Sequence, residues 1–446
     1  MSAEMKLEDF KPACESNATK NGLLSKFNMD EILNCMHCGF CLPACPTYRQ
    51  TGLESYSPRG RIALMKGVAK EQLPIDAEFE KNMFACLGCR ACETACPAGV
   101  PYGSLIETAR EVVVENEKQT NPKHVFVKNL VFKQLFPHPK RMKLLGTALW
   151  AAQASGLQSL AAKTGLMRIL PREMAEMQQA VDQIASPRER KSRQTRMNPE
   201  GNKAYTVGMF TGCIMDVMFY ETNQATAKLL SKAGCEIYFV EEQACCGALH
   251  AHSGEMPGAV ELAKRNIEAF EKANVDYIVN NAGGCGAALK EYHHWFHDDP
   301  EWMERALRFV SKVRDANELL AELPPLTFNK PLNARITYQD SCHLAHGQGV
   351  RNQPRSLLRS IPGVEFVELK NADSCCGSAG IYNLTNFDMS MDILDDKMEH
   401  VKNTKAHYIV TSNPGCLLQM KQGIHRAGLD GQMEAVHIMD LLSRAL

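Results

Sequence analysis

Cys35, Cys38, Cys41, Cys45 and Pro46 form a CxxCxxCxxxCP motif, and Cys86, Cys89, Cys92, Cys96 and Pro97 repeat it. This doubled spacing constrains the fold of the first hundred residues more than any other feature. Two-residue gaps wrap a tight loop around one inorganic centre, so the pair of motifs points to two cubane [4Fe-4S] clusters. Zinc sites use sets of four ligands drawn from two separated CxxC pairs, which leaves the third cysteine and the Cys-Pro ending unexplained. Gly39 and Gly88 allow the backbone to approach the cluster closely. The fourth cysteine of each run leaves the loop and faces the cluster of the other motif. The expected ligand sets are Cys35, Cys38, Cys41 and Cys96 for one cluster, and Cys86, Cys89, Cys92 and Cys45 for the other. Arg49, Arg59, Arg61 and Arg90 are candidate cations for raising cluster potential. His37 reads as a hydrogen-bonding loop residue. Pro58-Arg59-Gly60 reads as a turn entering a helix over residues 61–70, so this unit is expected to be a helical two-cluster ferredoxin domain.

The chain has 446 residues and 18 cysteines, about 4% of the total and too sparse for a disulfide scaffold. Residues 1–10 carry four charges and no apolar run, so no signal peptide is expected and the reducing cytoplasm is the expected location. There, clustered thiols serve metals or redox chemistry. Lys plus Arg number 50 against 51 for Asp plus Glu, a balance that provides no field for nucleic acid. The candidate membrane span, residues 144–162, contains Thr147, Gln153, Ser155, Gln158 and Ser159. It reads instead as one or two buried or interfacial helices.

Cysteine distribution divides the chain into four expected units: a ferredoxin-type domain over 1–110, a cysteine-free helical connection with a basic linker over 111–202, and two α/β units over 203–330 and 331–446. The connection interleaves apolar Val125, Val127, Leu130, Val131, Leu135 and Phe136 with Lys123, Lys128, Lys133, Lys140, Arg141 and Lys143. It reads as a helical layer or as a basic amphipathic surface meeting a membrane or partner. Arg188, Arg190, Lys191, Arg193 and Arg196 then read as a solvated linker.

The last two units are an internal duplication. Cys213, Cys245, Cys246 and Cys285 recur as Cys342, Cys375, Cys376 and Cys416, with Gly247 and Gly377 after each Cys-Cys pair. Residues 207–210 and 335–338 read as strands before the first cysteine of each half, and Tyr-Ile-Val runs at 277–279 and 408–410 as strands before the last. Val260, Ala263, Ile267 and Phe270 mark an amphipathic helix, as do Met391, Leu394, Met398 and Val401. Alternating strands and helices imply parallel sheets with sites beyond the carboxyl ends of the strands, where the four thiols of each half would meet. The overall fold class is therefore α/β with a helical N-terminal domain. Each half offers enough thiolates for an ordinary cluster, and redox-active or structural thiols are the alternative. His343 beside Cys342 reads as a local hydrogen-bonding residue, Cys235 as a small buried hydrophobe, Cys14 as a thiol without an assignable partner, and the 22 methionines as core filling.

Cys35-Met36-His37-Cys38-Gly39-Phe40-Cys41, Cys45-Pro46-Thr47-Tyr48, Ser57-Pro58-Arg59-Gly60-Arg61 and the run from Cys86 to Pro97 resemble the iron-sulfur subunit of bacterial glycolate oxidase (glycolate dehydrogenase). The paired Cys-Cys-Gly units resemble the same family, and also subunits of heterodisulfide reductase and anaerobic glycerol-3-phosphate dehydrogenase. The heterodisulfide reductase pattern ends in a CxxC pair, whereas Ala288 and Gln419 stand at the matching positions here. The resemblance implies FAD-containing partner subunits that oxidise glycolate to glyoxylate. This chain would carry their electrons to a quinone or another membrane acceptor, with no transmembrane span and with peripheral membrane contact at most. Gly347-Gln348-Gly349 begins a dinucleotide fingerprint, but Asn352 replaces its third glycine, so substrate chemistry is expected on a partner. Lactate, glycerol 3-phosphate and disulfide substrates, and a zinc-stabilised scaffold without redox function, are the competing readings.

Overall fold

The computed structural model describes residues 22–120, 130–156 and 180–446. Cys14 and residues 157–162 of the apolar run lie outside them. Short helices bracket the two cysteine loops: Met29–Leu33, Pro46–Thr51, Pro58–Ala69, Ala77–Phe84 and Ala91–Thr94, followed by the long helix Tyr102–Thr120. Ile32, Ile62, Met65, Val68, Phe79, Met83, Leu105 and Ile106 form one apolar core that reaches Cys86 and Cys92. Pro58-Arg59-Gly60 differs from the expected turn because it is already the first helical turn. Ser57 caps it, accepting from the Gly60 amide at 3.0 Å, and proline is tolerated at the first helical position, where its missing N–H would be unpaired anyway. A Cβ on Gly60 would overlap the Glu54 carbonyl, so this close approach requires glycine.

Two parallel sheets follow. Strands β1 (Arg196–Met197), β2 (Tyr205–Met209), β3 (Cys235–Phe239), β4 (Tyr277–Asn280) and β5 (Val313–Asp315) lie in the order β1-β3-β2-β4-β5. Strands β6 (Ala334–Tyr338), β7 (Val364–Phe366), β8 (Tyr408–Thr411) and β9 (Glu434–His437) lie in the order β7-β6-β8-β9. Only β1 is antiparallel, pairing Arg196 with Tyr238 and Met197 with Ile237. The basic stretch read as a solvated linker is thus partly built into the first sheet. Arg193 pairs with Asp216, and Arg196 lies over the Tyr238 ring. The short strand covers the hydrogen-bonding edge of β3.

Val207, Ile237 and Val279 of the first sheet share an apolar cluster with Ile336, Val410 and Val436 of the second, joined through Leu229, Leu230, Leu441 and Leu442. On the other side of each sheet lie the helices Met256–Ala273 and Phe387–Thr404, which bury Ala263, Ile267 and Phe270 in one half and Met391, Leu394, Met398 and Val401 in the other. Between the ferredoxin-type unit and the first sheet, the helix Pro139–Ala154 leaves Leu144, Leu145 and Leu149 exposed. No helix among the described residues is long and apolar enough to cross a membrane.

Candidate iron-sulfur sites

Cys45, Cys86, Cys89 and Cys92 line one cavity, together with Arg61, Arg90 and Tyr102. Cys45 joins the three thiols of the second loop from the end of the first, where it is the N-cap of the helix Pro46–Thr51 that Pro46 opens. Cys86 is the most polarised of them. Burial alone would push its thiol up, but the Arg61 and Arg110 cations, the Gly88 amide at 3.3 Å and the Tyr102 hydroxyl at 3.7 Å outweigh that effect and hold it below its ordinary value. Burial pushes Cys89 and Cys92 well up. Four buried cysteines lining one narrow cavity, with an amide and a hydroxyl donating to sulfur, fit a cluster of low solvent exposure.

Cys35, Cys41 and Cys96 rest against the core of the same unit and are half-buried, while Cys38 is exposed. This loop faces solvent, with Met36 and Phe40 each 68% exposed. Gly39 has φ +88°, and a Cβ there would come 2.9 Å from the Arg59 guanidinium. Arg59 donates to the His37 carbonyl at 3.0 Å, so His37 acts through its backbone in this loop. Of the four arginines singled out, Arg61 is fully buried, donating to the Asn82 carbonyl, the Tyr56 carbonyl and the Thr47 hydroxyl. Arg49 points instead to an α/β unit, pairing with Asp396, while Arg90 stays at the cavity, pairing with Glu93 at 2.7 Å and with Glu291 of an α/β unit.

In each α/β half the thiols gather as the strand ends require. Cys213 follows β2 and Cys285 follows β4, its neighbour in the sheet. β3 flanks β2 on the other side and leads to Cys245 and Cys246. Cys213 donates to Cys245 at 3.4 Å, and Cys246 hydrogen-bonds to both Cys245 and Cys285. These bonds hold Cys245 well below its ordinary value and Cys213 and Cys246 well above theirs. In the second half Cys376 is held down by bonds from Cys375 and Cys416, and Cys342 by Cys375 and by His343, whose ring lies 3.6 Å away. Each half therefore brings its four thiols into a connected chain of contacts. Among the described residues no three His, Cys, Asp or Glu side chains are gathered around a point in the way a single metal ion needs. Ala288 and Gln419 do not supply a fifth sulfur. Gln419 donates to the Ser390 hydroxyl at 3.0 Å and accepts from Asn383 at 3.2 Å. Cys235 is fully buried in the first sheet, where burial pushes its thiol up to about 11.

The sites adjoin one another. Leu87, Cys89 and Ala91 of the second loop share an apolar cluster with Cys342, Cys375 and Tyr382, whose hydroxyl donates to the Ala85 carbonyl at 3.1 Å. Cys285 in turn packs on the cluster containing Cys376 and Cys416. Sequence reasoning missed Thr47, Tyr102, Arg110, Tyr382 and Lys397 around these sites. Thr47, two residues after Cys45, had a local signal; the others arrive through tertiary folding.

Two such loops, the second packed on one of two thiol-lined strand rims, define an iron-sulfur electron-transfer subunit. Residues 31–100 match the 4Fe-4S dicluster domain, residues 207–290 and 336–421 the cysteine-rich domain, and residues 124–181 the linker region of the glycolate oxidase iron-sulfur subunit. A probable glycolate oxidase iron-sulfur subunit of Bacillus subtilis (strain 168) is 49% identical over 97% of this chain and 98% of its own length. The glycolate oxidase iron-sulfur subunit of Escherichia coli (strain K12) is 30% identical over 94% and 95%. Lactate utilization protein A of Oceanobacillus iheyensis is 34% identical over 96% of its own length but only 53% of this chain. The chain belongs to the family of glycolate oxidase iron-sulfur subunits.

Proposed function

We propose that this chain accepts electrons from an FAD-containing subunit that oxidises glycolate to glyoxylate, and passes them singly through its iron-sulfur sites toward a quinone or other membrane acceptor. The observation that carries the reading is the contiguity of the thiol sites: the second loop packs directly on Cys342 and Cys375, so an electron need not cross solvent. Cys35, Cys38, Cys41 and Cys96 would hold one cubane and Cys86, Cys89, Cys92 and Cys45 the other; the cavity lined by Cys45 with the second loop supports this crossing. Cys213, Cys245, Cys246 and Cys285, and Cys342, Cys375, Cys376 and Cys416, would hold further centres. When bound, such clusters supply one-electron storage at potentials set by charge and hydrogen bonding. The chain's own part is to orient the thiolates, aim donors at sulfur and exclude water. The chain would divide into four units, with the helix Tyr102–Thr120 running through the first boundary near 110 and β1 joining the first α/β unit ahead of the second near 202. Glycolate is favoured over lactate because the glycolate oxidase relatives match the whole chain and the lactate utilization protein about half of it.

The exposed Leu144, Leu145 and Leu149 share their helix with Lys140, Arg141 and Lys143 near its N-terminal end. That combination suits the cytoplasmic face of an anionic membrane, where basic side chains meet headgroups and leucines enter the acyl boundary. The experiment is to purify the chain with its flavoprotein partner and compare dye reduction driven by glycolate, lactate and glycerol 3-phosphate. Reduction driven by glycolate and dependent on this chain is expected; activity with lactate alone would overturn the substrate assignment. Cys45→Ser should perturb the centre held by Cys86, Cys89 and Cys92, and loss of only the other centre would contradict the crossing.

A further inference from the structure

The duplication allows the two cysteine-rich sites to be compared position by position. Met391, Leu394, Met398 and Val401 stand 131 residues after Val260, Ala263, Ile267 and Phe270. The structure preserves that register, since Gly377 packs against the Ser390 carbonyl as Gly247 packs against Ala259. In the same register Lys397 occupies the place of Asn266. Asn266 is neutral and buried. It accepts from the Ala244 amide at 2.7 Å and donates to the Cys245 carbonyl and the Tyr292 hydroxyl, each at 2.9 Å. Lys397 is only 2% exposed, and its ammonium donates to the carbonyls of Asn371 at 2.5 Å and Ala372 at 3.4 Å.

Burial pulls that ammonium down to about 8, partly offset by the charges of Cys376, Cys375, Asp373 and Asp340, and the two carbonyls to which it donates suit the cationic form. The two aspartates each have a cation of their own: Asp373 pairs with Arg351 at 2.9 Å and Asp340 with Arg355 at 2.7 Å. Of the charges that act on Lys397, those of the Cys375-Cys376 pair are therefore the ones that no arginine answers. A second difference has the same sign, Ile214 against His343 after the first cysteine, and a third has the opposite sign, His250 near Cys245 against Gly380; His250, though, directs its Nε2 to the Phe132 carbonyl at 2.8 Å.

We propose that Lys397 makes the C-terminal cysteine-rich site the higher-potential member of the duplicated pair, drawing electrons onto it from the adjoining second cubane. Reduction adds one negative charge to a site, and a buried cation stabilises that form more than the oxidised one because the surrounding dielectric is low. The transfer is balanced: the second cubane loses one electron and the C-terminal centre gains it. The neutral Asn266 gives the first site no such stabilisation. Lys397 is a positioning residue for charge and not a ligand. The inference rests on the reading that both cysteine-rich sites hold clusters.

The test is an anaerobic potentiometric titration followed by EPR, with Cys376→Ser and Cys246→Ser identifying which signal belongs to which half. In the unaltered chain the C-terminal signal should titrate at the higher potential. Lys397→Met and Lys397→Gln should each shift it downward by about tenfold in the reduction equilibrium, ~59 mV for one electron, with both cubanes unmoved. Lys397→Arg should restore it. A C-terminal signal that titrates below the first, or that stays in place when the charge is removed, overturns the proposal. Absence of any signal assignable to the C-terminal half in the unaltered chain overturns the reading beneath it as well, and the two failures are told apart by whether that signal exists.

Discussion

Gly377 has φ +91°, and a Cβ there would stand 2.5 Å from the Ser390 carbonyl oxygen. Its counterpart Gly247 has φ +82°, but a Cβ there would keep 3.4 Å from the Ala259 carbonyl oxygen and 3.2 Å from Trp295. Both positions need the left-handed backbone that turns the Cys-Cys pair toward the strand rim. Only Gly377 is also sterically closed. Gly377→Ala should therefore cost more stability than Gly247→Ala, on the order of 1–3 kcal/mol against a smaller loss. Thermal melting of the two variants checks the order, and EPR should show the N-terminal cubanes intact in both. Equal melting temperatures would contradict the steric reading. At this scale the cysteines that the structure gathers at the cavity and the strand rims were legible in the sequence, because their motifs are written in local spacing. Tyr102, Arg110 and Lys397 were not legible, since each reaches its site from an element whose approach is fixed only by packing.

Helix and strand positions follow from patterns that survive duplication. The strands β2, β4, β6 and β8 lie where the short apolar-rich runs before the outer cysteines placed them, because the last residues of each are buried between layers. The two-residue β1 was not legible: Arg196 and Met197 carry no strand pattern and pair with β3 only because its edge lies open beside them. Nor did the sequence reveal that Pro58 opens a helix, since the capping by Ser57 resembles a turn until the fold is seen. The helix Ala316–Glu322 offers a test at this scale. Its cap, Asp315, accepts from the Asn317 amide at 2.9 Å, while its second carboxylate oxygen is without a partner. Burial lifts this carboxyl from 3.8 to about 6. The native state therefore binds the proton more tightly than the unfolded chain. The resulting stabilisation is present below about pH 4 and is lost as pH rises through about 6, on the order of 3 kcal/mol at most. Asn also caps helices, so Asp315→Asn should gain in melting temperature relative to the parent between pH 4.5 and 7.5. A difference that stays flat across that range would show that the carboxyl titrates normally.

Across the whole molecule, the ferredoxin-type unit is clamped to both α/β halves. Lys118 pairs with Glu255 at 2.8 Å and Glu107 with His252 at 2.7 Å on one half, while the Thr94 hydroxyl lies 2.8 Å from His346 on the other. The clamp keeps the second loop against Cys342 and Cys375, so the thiol sites form a series rather than isolated stations. At the other end, Phe132, Phe136 and Met142 of the connecting region pack on Cys213 and Val217, placing the first cysteine-rich site beneath the helix with exposed leucines. If that helix meets the membrane, Leu145→Asp with Leu149→Asp should weaken co-sedimentation with phosphatidylglycerol vesicles at least tenfold, each buried leucine contributing about 1.5–3 kcal/mol. Raising salt should weaken the parent through Lys140, Arg141 and Lys143. Unchanged binding in the double variant would place the membrane contact elsewhere.

On this reading the two N-terminal loops hold a pair of cubanes that make this chain a conductor of electrons. Anaerobic purification followed by iron and acid-labile sulfide quantification, with EPR of the reduced chain, tests it most directly. About eight irons and eight sulfides from the N-terminal unit, with further iron from the cysteine-rich halves, and two magnetically interacting cubane signals are expected. An anaerobically prepared chain that is folded, replete with zinc and free of sulfide would contradict it.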